Sequence, residues 1–336
     1  MSQDGRGGWR ARDPHLCSFP SLLISGSGFV TSRLIRSLAC AAAMIVALPS
    51  LASAQLFETI GIRAQGMAGA FVAVADDASA TWWNPAGLAS GAFFSGIVER
   101  GNARSPLDDA ALGVSLVVPS LGLSYYRLRI SEPLPAPGGG TSTPVGLNPG
   151  SATDRLPTFV VNQLGASFGQ SIGNHLVLAS TLRLVRADQV RGDIDFGAMI
   201  RLGVARIGFV VKHLHEPDLT ADGMRLSAFD RQVRVGAAYL PHPGPLTLNA
   251  ALDADLTTTP TVFGNARHLS GGAELWVDRR LALRGGVSVN TVDDLRRSFS
   301  AGASAAIQKN VFLDVQLTRG DDPVKEGWGL DLRVTF

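Results

Sequence analysis

The sequence predicts an all-β protein: a transmembrane antiparallel β-barrel of about 14 strands with a small N-terminal element inside its lumen. Three observations carry that fold class. Apolar residues alternate with small or polar ones in blocks of about ten, the length of a tilted membrane-crossing strand. The connections between blocks alternate between tight and long. After position 54 no apolar run approaches the roughly 20 residues that a membrane-spanning helix needs.

From the N-terminus, residues 1–31 are rich in Gly, Ser and Arg and carry no pattern. Residues 32–54 read as a secretory signal: Arg33 and Arg36, an apolar stretch from Leu38 to Leu48, a break at Pro49-Ser50, then Ala52-Ser53-Ala54 as a small-x-small processing site. Cleavage is expected between Ala54 and Gln55. A translation start at Val30 would give the signal an ordinary length and account for the featureless stretch before it. Cys40 stands too early in the apolar stretch for lipid attachment. The expected organisation is therefore an upstream extension and signal over 1–54, a plug over 55–91 and a barrel over 92–336.

Removing residues 1–54 takes five of the 30 basic and two of the 28 acidic residues, leaving a net charge of −1. The basic character of the full chain is thus no argument for a nucleic-acid partner. Both cysteines, Cys17 and Cys40, go with it, so the exported chain holds itself together without disulfides. The 38 glycines and only three lysines, Lys212, Lys309 and Lys325, disfavour a helical bundle.

Alternation predicts strands near 92–100, 110–118, 121–130, 157–168, 175–186, 193–201, 206–215, 231–240, 245–256, 266–277, 281–290, 297–308, 311–318 and 327–336. In the last block Trp328, Leu330, Leu332, Val334 and Phe336 share one face, with Asp331 and Arg333 on the other. The third and fourth blocks break parity, which suggests bulges. Short turns are expected at 119–120, 169–174, 202–205, 241–244, 278–280 and 309–310, with longer loops at the alternate junctions, including 187–192. That alternation, with both chain ends on the short-turn side, fits a barrel better than a soluble sandwich. Strands facing hydrocarbon must close on themselves, because lipid offers no partner for free N–H and C=O groups. Phe168, Tyr239 and Phe336 on the turn side, and Phe159, Phe299 and Trp328 on the loop side, are expected as interfacial aromatics.

Inward parity places Arg183, Asp195, Arg201, Asn249, Asp253, Glu274, Arg284, Asp314, Gln316, Asp331 and Arg333 in the lumen. The mixed signs point to ion-paired contacts between wall and plug rather than a charge-selective pore.

Residues 61–89 are too rich in small residues and too broken for a lipid-facing strand. Asp76-Asp77 favours a turn or helix start, and Asn84-Pro85 with Gly87 ends any regular element. The pattern Gly-x-Arg-Ala-x-Gly-Met-x-Gly-Ala from Gly61, then Ala-Asp-Asp-Ala-Ser-Ala and Trp-Asn-Pro-Ala-Gly-Leu, resembles the FadL-like long-chain fatty-acid transporter superfamily of outer-membrane barrels, with its PorV-type relatives. The resemblance implies a fourteen-stranded barrel with this segment as a hatch, and makes Arg63, Gly66, Met67, Gly69, Asp76, Asp77, Asn84, Pro85, Ala86 and Gly87 hatch residues. Each is expected to fix the plug's fold more than to touch a ligand. The chain lacks the long helical external loops of the fatty-acid transporters; its longest, 131–156, is rich in Gly, Pro, Ser and Thr.

Other chemistry is weak. Gly165-Ala166-Ser167-Phe168-Gly169 spells a nucleophile elbow but sits in a strand, without the strand-to-helix turn that chemistry needs. His213 and His215, with Glu216 and Asp218, offer same-face metal ligands at a strand end, although an exposed rim pair is the simpler expectation. No enzyme activity, cofactor or metal is expected. The expected function is passive, hatch-gated uptake of hydrophobic or amphipathic small molecules of fatty-acid or hydrocarbon type across a Gram-negative outer membrane. The alternative is a PorV-type anchor or accessory for protein secretion. Expected partners are outer-membrane lipids, the hydrophobic ligand and the barrel assembly machinery, for which the terminal Phe336 resembles the recognition signal; a monomer is expected.

Overall fold

The computed structural model describes residues 60–103, 110–131, 158–221, 224–226, 229–261 and 263–336. The signal segment and its Ala54/Gln55 cleavage site lie outside the described residues. Fourteen antiparallel strands form a closed barrel, each paired with its sequence neighbours. They are β1 (Ser95–Ala103), β2 (Ala110–Val118), β3 (Leu121–Ser131), β4 (Thr158–Ile172), β5 (Leu176–Arg186), β6 (Val190–Leu202), β7 (Ala205–Lys212), β10 (Gln232–Tyr239), β11 (Leu246–Asp255), β14 (His268–Val277), β15 (Leu281–Asn290), β16 (Arg297–Gln308), β17 (Val311–Gly320) and β18 (Gly327–Thr335). Two small hairpins, β8 (Leu219–Ala221) with β9 (Met224–Leu226) and β12 (Thr259–Thr261) with β13 (Gly264–Ala266), lie within connections at one end of the barrel.

β18 pairs with β1 along nine residues and closes the wall. Just beyond the ladder Phe94 and Phe336 exchange both backbone hydrogen bonds, at 3.2 and 2.9 Å, and their rings lie 5.9 Å apart. The terminal aromatic thus seals the seam between first and last strand. Outward positions are apolar and bare: Leu248, Leu252 and Leu283 are 53%, 63% and 65% exposed. A belt of such residues around the barrel has hydrocarbon, not water, as its natural solvent.

Several expectations are corrected. β3 and β4 contain no bulge; the register shift among the described ladders lies at Ala306/Gln308, between β16 and β17. Parity fails in the sequence because Tyr126, Leu128, Ile130, Phe159 and Val161 are apolar yet point inward and are buried. Phe159 is accordingly no interfacial aromatic, whereas Phe168, Tyr239, Phe299, Trp328 and Phe336 are all exposed. β4 runs on through Gln170 to Ile172, so the turn expected from Gly169 is confined to positions 173–175. Loop length separates the two ends less strictly than expected, since residues 187–189 alone join β5 to β6 while positions 240–245 join β10 to β11. β7 ends at Lys212, because His213 takes a left-handed backbone (φ 55°) that breaks the pleat. His213 is then buried and His215 exposed, so the pair shares no face and forms no exposed rim.

Candidate functional site: the filled lumen

Residues 60–91 lie within the wall and supply much of the buried core, from Ile60 to Leu88. The segment folds as α1 (Ile62–Gly66), α2 (Ala80–Trp83) and a 3-10 turn over Pro85–Ala89. Its short elements cannot hold themselves, so the wall supplies the missing partners. Glu99 of β1 accepts from Gly61 N–H at 2.6 Å, ahead of α1. Asp253 of β11 accepts from the N–H groups of Phe71 and Val72, both at 2.8 Å.

The Asn-Pro-Ala-Gly stretch has a distinct role for each residue. Asn84 donates to Val72 O at 2.8 Å and to Ala198 O at 3.3 Å, and its Oδ1 caps the turn by accepting from Ala86 N–H at 3.1 Å. Pro85 opens that turn, where no N–H is needed. Gly87 lies so close to Ala75 that a Cβ would fall 1.7 Å from its carbonyl oxygen. The wall makes similar room: a Cβ on Gly272 would meet Met67 O at 2.4 Å, and one on Gly208 would meet Val72 O at 2.5 Å. Gly66 passes beside the Gly302 backbone, and Gly69 takes a left-handed φ of 82°.

Arg63 is the electrostatic centre. Its guanidinium grips Glu274 through two bonds of 2.8 and 2.7 Å, reaches Asp77 at 3.1 Å and pairs with Asp76. Burial alone would depress its pKa, but Asp76, Glu274 and Asp77 together hold it well above the ordinary arginine value. Glu274 also accepts from Arg284 at 2.7 Å and Asn249 at 3.0 Å. Arg284 continues to Asp314 at 3.2 Å, which Arg333 meets at 2.8 Å. Asp331 stands opposite both Asp314 and Glu99 in register. Across the barrel Arg183 binds Asp195 at 2.7 Å and donates to Thr81 O at 3.2 Å. Arg201 donates to Ala89 O at 3.3 Å, and Gln316 to Gln65 Oε1 at 2.9 Å. Among the described residues these lumenal charges, Asp331 apart, are thus held by hydrogen bonds or ion pairs, several of which reach the inner segment.

Sequence reasoning passed over three groups. Glu99, buried and inward on β1, is one. A second is two histidine–carboxylate pairs at the loop end: His213 Nδ1 with Asp193 at 2.5 Å, and His268 Nε2 with Asp322 at 3.0 Å. Asp193, Asp195 and His213 have ligand atoms near one another, but their carboxylates are already engaged by His213, Ile194 N–H and Arg183. The third is a division of the upper lumen into two opposite sectors. On β3–β5 the inward residues Tyr126, Leu128, Ile130, Phe159, Val161 and Val185 are buried and belong to one apolar cluster with Trp82, Leu219 and Phe229. On β14–β17 the equivalent positions are hydroxyls: Ser270, Ser288, Ser298, Ser300 and Thr318. The adjacent tryptophans divide between them. Trp82 meets Tyr126 edge-on at 5.3 Å, and Trp83 borders a hollow beside Ser288, Ser298 and Thr318.

No family model and no curated protein matches this sequence. Among solved structures, the chain is similar to the CymD monoaromatic hydrocarbon channel at a TM-score of 0.56 and 12% identity, over 84% of this chain and 99% of that one. The toluene transporter TbuX of Ralstonia pickettii aligns at 0.54 and 14% identity, over 83% and 99%. A FadL homologue of Pseudomonas aeruginosa aligns at 0.51 and 11% identity, over 85% and 100%. Likeness at such low identity is one of architecture, and together with the closed fourteen-stranded wall it gives this chain the fold of a FadL-like β-barrel.

Proposed function

We propose that the chain is a passive outer-membrane channel for small hydrophobic or amphipathic molecules, with the N-terminal segment gating the axial route. The observation that carries this reading is the apolar sector on β3–β5. The interior of a water-filled barrel is polar. Here Leu128, Ile130, Phe159, Val161 and Val185 instead face inward, packed in an apolar cluster with Trp82, Leu219 and Phe229. Such a wall favours a solute that gains by leaving water, at about 25 cal/mol per Å² of apolar surface. The architectural likeness to proteins described as hydrocarbon and toluene transporters supports the same class of solute.

The test is uptake of labelled toluene by cells of a deletion strain carrying the wild-type or variant chain. Val161→Asn and Leu128→Asn, placed on the apolar sector, are expected to lower uptake several-fold while the barrel still assembles, because each puts an amide where solute must shed water. Equal uptake with and without the protein would sink the proposal.

A further inference from the structure

The opposite, hydroxyl-lined sector carries a second feature. Between the inner segment and β15–β17 lies a narrow hollow, with room for about one water-sized group, bordered by Gln65, Ala68, Trp83, Ser288, Ser298 and Lys325. Two of its polar atoms, Gln65 Nε2 and Ser298 Oγ, have no hydrogen-bond partner, although Gln65 is 8% and Ser298 1% exposed. A buried polar atom left unpaired costs about 1–3 kcal/mol, so two of them beside one hollow favour an occupant that supplies the missing bonds.

The hydrogen-bond directions say what that is. Thr318 Oγ1 donates to Gln316 Oε1 at 3.2 Å, which turns the Gln316 amide nitrogen toward Gln65 Oε1 at 2.9 Å. Ser300, 2.8 Å from Thr318, must then be the donor in that pair. The chain Ser300–Thr318–Gln316–Gln65 therefore runs in one direction and ends on the unpaired N–H group of Gln65, a residue that borders the hollow. Bonds aligned this way polarise one another and strengthen the terminal donor. Ser288 accepts from Ser270 at 3.0 Å, so its own proton is also available. Gln65, Ser298 and Ser288 thus all offer donors to one small space.

We infer that this hollow binds the uncharged oxygen head group of an amphipathic ligand, such as a phenol or an alcohol, with the apolar body remaining outside it. The inference rests on the channel reading above and names the ligand class at its polar side. A hydrocarbon would leave the donors unsatisfied. A carboxylate would need a counter-charge to offset its burial, and Lys325, the cation at the rim, already acts on the Asp322 carboxylate. A neutral hydroxyl or carbonyl oxygen satisfies the donors without bringing a charge into the lumen.

Toluene, p-cresol and p-toluate differ only in the group opposite the methyl, and isothermal titration of the detergent-purified chain with each tests the assignment. The wild type is expected to bind p-cresol about tenfold more tightly than toluene, the ratio that one or two net hydrogen bonds provide. In Ser298→Ala, a near-isosteric change on the wall, and in Gln65→Leu that ratio is expected to collapse toward one. Equal binding of p-cresol and toluene by the wild type would mean that water satisfies the donors, and the assignment falls while the channel reading stands. Tighter binding of p-toluate than of p-cresol would make the head group anionic and also overturn it. Binding of none of the three would overturn both readings.

Discussion

At the scale of single residues, Arg63 has the most at stake. Its guanidinium serves Glu274 on the wall and Asp76 and Asp77 within its own segment, so one side chain joins two parts of the molecule. Removing one partner of a buried ion pair costs roughly 3–5 kcal/mol, because the remaining charge loses its compensation. Arg63→Gln is therefore expected to loosen the inner segment and raise single-channel conductance in planar bilayers. Unchanged conductance would mean that packing alone holds the segment. The sequence pointed to Arg63 through its motif and to Glu274 through inward parity, since charge in a short alternating block leaves one direction for the side chain. Gln65 was not legible. Its significance lies in an amide orientation set by Thr318 and Gln316, more than 250 positions away along the chain, and no local pattern encodes that.

At the scale of elements, strands were readable wherever their two faces met different solvents. β11 and β18 have lipid outside and charges inside, so the chemical period of two follows the pleat. On β3 and β4 the pleat is equally regular, but the upper lumen is itself apolar and the chemical alternation fades. The loop-end connections hid their structure because it is built from long-range polar contacts. Asp322, between β17 and β18, meets His268 of β14 at 3.0 Å and Arg296 at 3.4 Å, and Arg296 also donates to Asn265 O at 3.3 Å. Three successive connections are thereby fastened at one carboxylate. Burial works against its charge, yet the hydrogen bond and charge of His268, with Arg296 and Lys325, hold its pKa below the ordinary value. A carboxylate depressed in the folded state stabilises fully above its unfolded value, about 4, and loses that contribution as pH falls through the lower folded value. Hydrogen exchange in residues 257–267 and 321–326, corrected for its intrinsic pH dependence, is thus expected to be slow at pH 6 and faster at pH 3. Asp322→Asn should show the faster exchange already at pH 6. Identical protection in the variant at pH 6 would remove Asp322 from this role.

At the scale of the whole molecule, wall and inner segment are one folding unit rather than a tube with a stopper. The wall alone would leave Glu274, Asp253 and Glu99 facing an empty lumen, and the segment alone has helices of four and five residues that cannot persist in water. The aromatic and apolar groups they share, Phe71, Trp82, Trp83, Tyr126 and Leu128, form one continuous core. An independent stopper could be deleted to leave a stable open pore. Here deletion of residues 60–91 strips that core and removes the donors that the segment supplies to Glu99, Asp253 and Glu274, each such loss costing about 1–3 kcal/mol. The barrel's outer girdle and hydrogen-bonded ladders would survive, so the expected product is an inserted but weakened barrel. It should unfold in detergent well below the wild-type temperature, with a conductance that flickers instead of holding one open level. Heat-modified gel mobility and bilayer recording check the two halves of that expectation. A deletion variant as heat-stable as the wild type, with a steady large conductance, would show the inner segment to be a removable stopper and leave any selectivity of the proposed channel to the wall alone.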